Sequence, residues 1–377
     1  MLAGQATYPF VVIEEAKRRK AAQGVRIFDF GMGDPRGRPE EPIRRALVEA
    51  LDEVLGYPQA AGLPELRAAI ARWLRRRFGL ELDPDREVIP TLGSKEAIFA
   101  FAQIVVERDG GRDLVLIPDP GYPVYERGAA FAGGRVRHLP LVAENDFLPD
   151  LDAVEDEAWA EAALVWVNYP NNPTGATAPL GFYERLVELA AEHGFLVASD
   201  EAYSELWFDE APPSALQVAD RARVVAFNTL SKRSGMTGWR SGFVAANEEV
   251  ITALRKFRPT VGTAPQVFVQ RASVVAWDDE EHVARIRESY ARKRALFLDL
   301  FARKGLQVPA SSASMYLWVY VPDGESSEGF AARLLEHGVV VAPGSYLGRF
   351  GEGYFRLALA PGEDECRLAI EVLEDVL

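Results

Sequence analysis

The chain of 377 residues has a single cysteine, Cys366, which excludes an internal disulfide and a cysteine-built metal site. Its histidines (His138, His193, His282 and His337) lie too far apart in sequence for a compact metal-ligand motif. Lysine is scarce: of 42 basic residues only Lys17, Lys20, Lys95, Lys232, Lys256, Lys293 and Lys304 are lysines, so chemistry that needs an amine has few candidates. No run of about 18 apolar residues occurs, and the opening MLAGQATYPFVVIEEAKRRK lacks a basic start followed by an apolar stretch of signal length. A metal-independent protein of the cytoplasm, with no membrane partner, is the expectation. The formal net charge of -14 and a pI near 5.0 disfavour nucleic acid as a partner, because such binders need a basic face to displace counterions. Nucleotide loops are missing too: Gly31-Met32-Gly33 lacks the third glycine of a dinucleotide turn, with Arg36 in its place, and no G-x-x-x-x-G-K-S/T occurs. Nor is there the G-x-S-x-G elbow of a serine hydrolase.

What is present is ample apolar material, 48% of residues with 10% aromatic, enough for a large core in two or three domains. From Glu40 to Val54 the residues Ile43, Ala46, Leu47, Ala50, Leu51 and Val54 follow helical spacing, and Pro64 to Phe78 reads as a second helix opened by its proline. Short runs rich in Val, Ile and Leu follow: DLVLIP at 113, ALVWVN at 163, FLVASD at 195, RVVAFN at 223 and GFVAA at 242. Each reads as a strand buried on both faces, and helix-length segments such as Leu180 to His193 separate several of them. That alternation predicts an α/β fold, a parallel sheet wrapped by helices. From Asp278 onward a long helical stretch, the run MYLWVYV, a helix near Gly329 to His337 and a last helix predict an α+β unit.

In open parallel sheets ligands bind beyond the carboxyl ends of the strands, so the loops that follow the apolar runs carry the functional information. After ALVWVN comes Tyr169-Pro170-Asn171-Asn172-Pro173-Thr174-Gly175, which fits either a structural turn or a rigid mount for an asparagine facing a ligand. After FLVAS comes Asp200-Glu201-Ala202-Tyr203; an acid at a buried strand end is functional or ion-paired, since a lone buried carboxylate is costly. After RVVAFN, the residues Thr229, Ser231, Lys232, Gly235, Gly238, Arg240 and Gly242 bring hydroxyls, an amine, glycines and a guanidinium together. The cluster suits a phosphate-bearing carbonyl cofactor: hydroxyls and Arg240 for the dianion, glycines for close backbone approach, and a lysine amine to bond the carbonyl. Gly93-Ser94-Lys95-Glu96 opens a helix whose free N–H groups suit a phosphate, with an N-cap role for Ser94 as the other reading.

The set NNPTG, SDEAY and TLSKRSGMTGWRSGF, in this order and at these separations, resembles the fold-type I, class I/II aminotransferases over nearly the whole chain. The resemblance implies a pyridoxal 5'-phosphate (PLP) enzyme whose large domain, 40–270, has a mostly parallel sheet flanked by helices. A small α+β domain at 271–377 would be joined by a segment at 1–39 that also contributes to a dimer. It implies that Lys232 carries the cofactor as a Schiff base, that Asp200 pairs with the pyridine nitrogen, and that Asn172 and Tyr203 hydrogen-bond the ring hydroxyl. Ser94, Lys95, Thr229, Ser231 and Arg240 would hold the phosphate, the first two through backbone N–H groups, and Tyr122 would stack on the ring. Arg356 would grip the substrate α-carboxylate, with Gly33 as a backbone contact and Tyr316 in the pocket wall. Tyr57 would reach the phosphate of the neighbouring subunit, making the active site depend on a homodimer. Thr229 stands where serine or glycine is usual and keeps the hydroxyl; Ser241 stands where an aliphatic residue is usual, which predicts slightly looser packing.

By the same resemblance, Asp200 keeps the ring nitrogen protonated and the freed Lys232 amine moves the Cα proton during transfer between an amino acid and a 2-oxo acid. GYPQAAGLPELR, PTLGSKE, LSKRSG and VVVAPGSYLG are most similar to N-succinyl-LL-2,6-diaminopimelate aminotransferases, which serve lysine synthesis with glutamate as amino donor. LL-diaminopimelate, aspartate and aromatic aminotransferases share the frame. A PLP C–S β-lyase would share every cofactor residue. A ligand-sensing regulator is disfavoured by the absence of spare length before Gly31. Arg36 and Arg38, in GDPRGRP, are either solvated surface arginines or a site for a distal substrate carboxylate.

Overall fold

The computed structural model describes residues 9–53, 56–107 and 110–377. Its strands, in chain order, are β1 (Phe28–Asp29), β2 (Val88–Thr91), β3 (Leu114–Asp119), β4 (Arg135–Pro140), β5 (Ala162–Asn168) and β6 (Leu196–Asp200). They continue as β7 (Val224–Thr229), β8 (Gly242–Ala246), β9 (Tyr316–Tyr320), β10 (Val339–Val340), β11 (Ala342–Pro343) and β12 (Tyr354–Ala358). Seven of them form one sheet in the order β2-β8-β7-β6-β5-β3-β4. The five apolar runs are all there, and β3, β5, β7 and β8 are buried along their whole length, as strands covered by helices on both faces must be. Two core clusters, one around Trp73, Val165 and Trp277 and one around Phe101, Trp166 and Phe227, pack against the sheet.

The sheet is mixed rather than parallel throughout, since β8 runs antiparallel to both β7 and β2. A parallel return needs a crossover of about a dozen or more residues, usually with a full helix. The link Leu230–Ser241 holds only a one-turn helix, Leu230–Arg233, and a 3-10 turn, Thr237–Trp239, so the chain folds straight back. Lys232 and Arg240 both ride on that tight link. β4 was not evident from the sequence, because two arginines and a histidine interrupt it and only Leu139 is buried, as suits a sheet edge that must resist pairing with other chains.

Pro64–Phe78 and Leu180–His193 are helices with the predicted bounds. The helix expected from Glu40 to Val54 is instead an α-helix, Glu41–Glu49, followed by a 3-10 turn, Ala50–Glu53; Val54 lies outside the described residues. In the C-terminal part, the helix Glu281–Arg303 precedes a three-stranded antiparallel sheet, β11-β12-β9, and the helices Ser327–Glu336 and Glu363–Val376 complete it. The N-terminal residues join this part directly, because β1 pairs in parallel with β10. Among the described residues no helix is long and apolar enough to cross a membrane, and no group of three or more His, Cys, Asp or Glu could hold a metal.

Candidate active site

A cavity of about 550 Å³ opens where the carboxyl ends of β5, β6 and β7 face β9, β12 and the segment after β1. Its floor comes from the loops already singled out, Asn172 after β5, Asp200 and Tyr203 at and after β6, and Thr229, Ser231 and Lys232 after β7. Ser94, Lys95 and Arg240 close one end, Tyr122 lies over the floor, and Gly33, Tyr316 and Arg356 form the opposite wall. Of the fourteen cofactor and substrate residues implied by the resemblance only Tyr57 is absent from this lining; it is fully exposed on the surface.

At one end the turn Leu92-Gly93 leads from β2 into the helix Ser94–Val105. Gly93 has φ +71°, and a Cβ there would lie 2.5 Å from Arg240 Nη2, so no other residue lets the guanidinium approach. Arg240 donates to the Leu92 carbonyl (3.2 Å) and to the Thr237 carbonyl (2.8 Å). The helix cap is Gly93 rather than Ser94, with no side-chain hydrogen bond to it, and Ser94 and Lys95 of the first turn line the cavity, the end of a helix suited to an anion. Thr229 caps the Lys232 turn by accepting from the Ser231 N–H (3.1 Å), while its own hydroxyl donates to the Ser241 carbonyl (2.9 Å). Burial, and then the positive charges of Arg240 and Arg127, push the Lys95 amine below its usual value. Hydroxyls, cations and helix-start amides on one small concave surface match a phosphate dianion. Ser241 does not loosen the packing: it is buried, and its hydroxyl lies 2.7 Å from that of Ser273.

In the middle, Asp200 ends β6 fully enclosed. Burial raises its carboxyl to about 6, against the pull of the Tyr125 hydroxyl (2.8 Å) and the Ala202 N–H (3.3 Å). Its hydrogen-bond partners are thus a phenol and an amide, not the basic side chain of an ordinary ion pair. Tyr125 and Asn168 were not foreseen. Asn168 donates to the Asp200 carbonyl (2.7 Å) and accepts from the Asn172 N–H (2.9 Å), locking two catalytic loops together. Nothing in the run PVYE reveals that Tyr125, on the first turn of the helix Val124–Ala132, reaches the end of another strand. The NNPTG loop is both turn and mount: Asn171 bonds its own loop, whereas Asn172 Oδ1 accepts from Arg356 (2.9 Å).

Lys232 Nζ donates to the Gly33 carbonyl. Burial brings its amine down to about 8, Asp34 opposing and Arg356 and Arg240 assisting. Arg356 also donates to the Gly31 carbonyl (2.8 Å) and lies 4.4 Å over the Tyr316 ring. The Tyr316 hydroxyl is 3.0 Å from that of Tyr203, and a Cβ at Gly33 would lie 1.9 Å from it, so only glycine fits under this phenol. Arg36 does not line the cavity; it pairs with Glu365 (3.1 Å) and Asp29 (3.5 Å), and Arg38 is exposed elsewhere. The distal-carboxylate reading of these two arginines therefore fails.

Residues 25–373 match the family model described as aminotransferase class I and II. The chain belongs to this family. This aminotransferase is 41% identical over 375 residues to an LL-diaminopimelate aminotransferase of Aquifex aeolicus, covering 98% of this chain and 96% of that one. Among solved structures, an aminotransferase from Neisseria meningitidis superposes with a TM-score of 0.91 at 36% identity, covering 100% of this chain and 99% of the other. A probable N-succinyldiaminopimelate aminotransferase from Thermus thermophilus gives a TM-score of 0.91 at 34% identity, covering 98% and 100%. Class I/II aminotransferases use pyridoxal 5'-phosphate, and this one is a PLP-dependent aminotransferase. Its residues fit the cofactor: a cation-rich cradle walled by Gly93 for the phosphate, a buried acid with no basic hydrogen-bond partner for the ring nitrogen, and a partly neutral amine for the aldehyde.

Proposed function

We propose that this aminotransferase acts on LL-diaminopimelate, exchanging its amino group with a 2-oxo acid in lysine synthesis. Relatives bearing that name are 41% and 42% identical over nearly their whole lengths, which favours it over the N-succinyl derivative suggested by short sequence runs. The carrying observation is the charge inventory of the cavity: once Lys95 and Arg240 are given to the phosphate end, Asp200 to the ring, and Lys232 and Arg356 to the reacting end, the one charge left over is the Asp34 carboxylate. Arg356 takes the α-carboxylate of the reacting end. Asp34, on the wall opposite the phosphate cradle, is of the right sign for the ammonium at the far end of diaminopimelate. A succinylated far end has no ammonium for Asp34.

The site residues take the following roles in this reading. The cofactor, when bound, supplies an aldehyde for the amino group and a ring that withdraws electrons from the substrate carbon. The N–H groups of Ser94 and Lys95, the hydroxyls of Thr229 and Ser231, and Arg240 hold the phosphate. Asp200 holds a proton at the ring nitrogen, and Tyr125 and Asn168 fix its direction. Asn172 and Tyr203 bond the ring hydroxyl, and Tyr122 covers the ring face. Lys232 Nζ, with an amine near 8, carries the cofactor at rest and moves the substrate Cα proton once released. Exposed Tyr57 completes the phosphate site of a second copy in a cytoplasmic homodimer.

Initial rates with LL-diaminopimelate, its N-succinyl derivative, aspartate and aromatic amino acids, each paired with 2-oxoglutarate, test the substrate. The reading requires LL-diaminopimelate to give the highest kcat/KM. Preference for the succinylated compound would restore the second reading, which rests on the Thermus resemblance. Release of pyruvate, ammonia and a thiol from cystathionine, without amino transfer on the other substrates, would indicate a C–S β-lyase.

A further inference from the structure

Beneath the phosphate cradle lies a pair of charges with no part in the chemistry above. Arg258, on the helix Glu248–Val261, is 1% exposed, and its Nη1 donates to Glu96 Oε1 at 2.6 Å. Among the described residues its Nε and Nη2 have no hydrogen-bond partner, and Glu96 is the carboxylate that compensates this buried cation. The same Glu96 oxygen accepts from the Leu92 N–H at 3.0 Å, and the carbonyl of that residue accepts from Arg240 Nη2 at 3.2 Å. The residue before Gly93 is thus pinned from both sides, by Glu96 from below and by Arg240 from the cavity. Since Gly93 sits at φ +71° with Arg240 close against it, a small rotation of this turn would move both the first N–H groups of the helix Ser94–Val105 and the guanidinium.

We infer that Arg258 and Glu96 are positioning residues that set the grip of the cradle on phosphate. The inference rests on the assignment of Ser94, Lys95 and Arg240 to the cofactor phosphate. Arg258 holds the Glu96 carboxylate where it accepts from Leu92, and the aligned turn presents its donors to the dianion. This support acts on the phosphate alone; the aldehyde and ring contacts lie elsewhere.

The test uses apoenzyme titrated with PLP, with pyridoxal (which lacks the phosphate) and with inorganic phosphate as competitor, for wild type, Arg258→Met and Glu96→Gln. Both variants are expected to raise the dissociation constants of PLP and phosphate about tenfold to a hundredfold, the range of one charge-assisted hydrogen bond. Pyridoxal affinity, and kcat at saturating PLP, should stay at wild-type values. If a single variant fails to fold, Arg258→Met combined with Glu96→Gln leaves no unpaired buried charge and should show the same selective loss. Unchanged PLP and phosphate affinity, or equal weakening of PLP and pyridoxal, would overturn the inference. A wild type that gains no visible absorbance with PLP would instead overturn the cofactor-site assignment on which it rests.

Discussion

Two lysines in this molecule have amines lowered to about 8 by burial, and they lie in regions with opposite purposes. Lys293, on the helix Glu281–Arg303, donates to the Leu359 and Pro361 carbonyls, the latter at 3.1 Å, and sits 4.0 Å over the Tyr290 ring. It ties that helix to the chain just beyond β12, the strand that carries Arg356. Lys232 donates to one carbonyl, that of Gly33, and otherwise faces a cavity shared with Asp200, Arg240 and Arg356. Equal depression of an amine therefore does not mark a catalytic residue. What separates the two is an open volume beside Nζ and a set of groups able to hold a reactant there.

The most severe break of this comparison is Lys232→Ala, expected to lower amino-transfer turnover by about 10⁴-fold or more, because nucleophile and proton carrier are lost together. Lys293→Met should leave turnover and the visible absorbance of bound cofactor unchanged; a catalytic defect there would erase the distinction. Asp200→Asn removes the charge that faces the ring nitrogen and should reduce kcat by about 10²–10³-fold with the fold intact, read by steady-state kinetics beside far-UV circular dichroism. Arg356→Lys keeps the charge but loses the two-pronged donor set, so KM for the amino acid should rise about tenfold to a hundredfold while PLP affinity holds. The mildest effect is on stability. Both amines titrate near 8 when folded against 10.5 when free, so between those values the unfolded chain holds more protons. Stability of the apoenzyme then rises with pH across that window, and falls off as pH drops through about 8. In Lys293→Met the melting midpoint should climb less steeply from pH 8 to 10; an unchanged slope would mean that Lys293 is not titrating there.

The sequence was informative wherever function is written in local order. Strand-end loops can be recognised because a buried apolar run stops at a polar residue, as at Asp200 and Thr229, and thirteen of the fourteen expected site residues do line one cavity. Tyr125 and Asn168 escaped notice because their roles depend on which strand lies beside them, information absent from PVYE and WVN. The Arg36 reading failed for the same reason: Glu365 and Asp29, its partners, come from distant parts of the chain. The cap position of the helix Ser94–Val105 falls on the backbone of Gly93, not on Ser94.

Composition and motif order by themselves pointed to an α/β enzyme, excluded an internal disulfide through the single cysteine, and set Lys232 among hydroxyls, glycines and an arginine. These follow from residue type and spacing, which survive in one dimension. Only the tertiary structure decided that β8 turns back antiparallel, that Arg356 meets Asn172 across the cavity, and that Arg258 meets Glu96 below the Leu92-Gly93 turn. Each of those depends on close approach between segments far apart in the chain, where distance and burial set the strength of a charge or hydrogen bond.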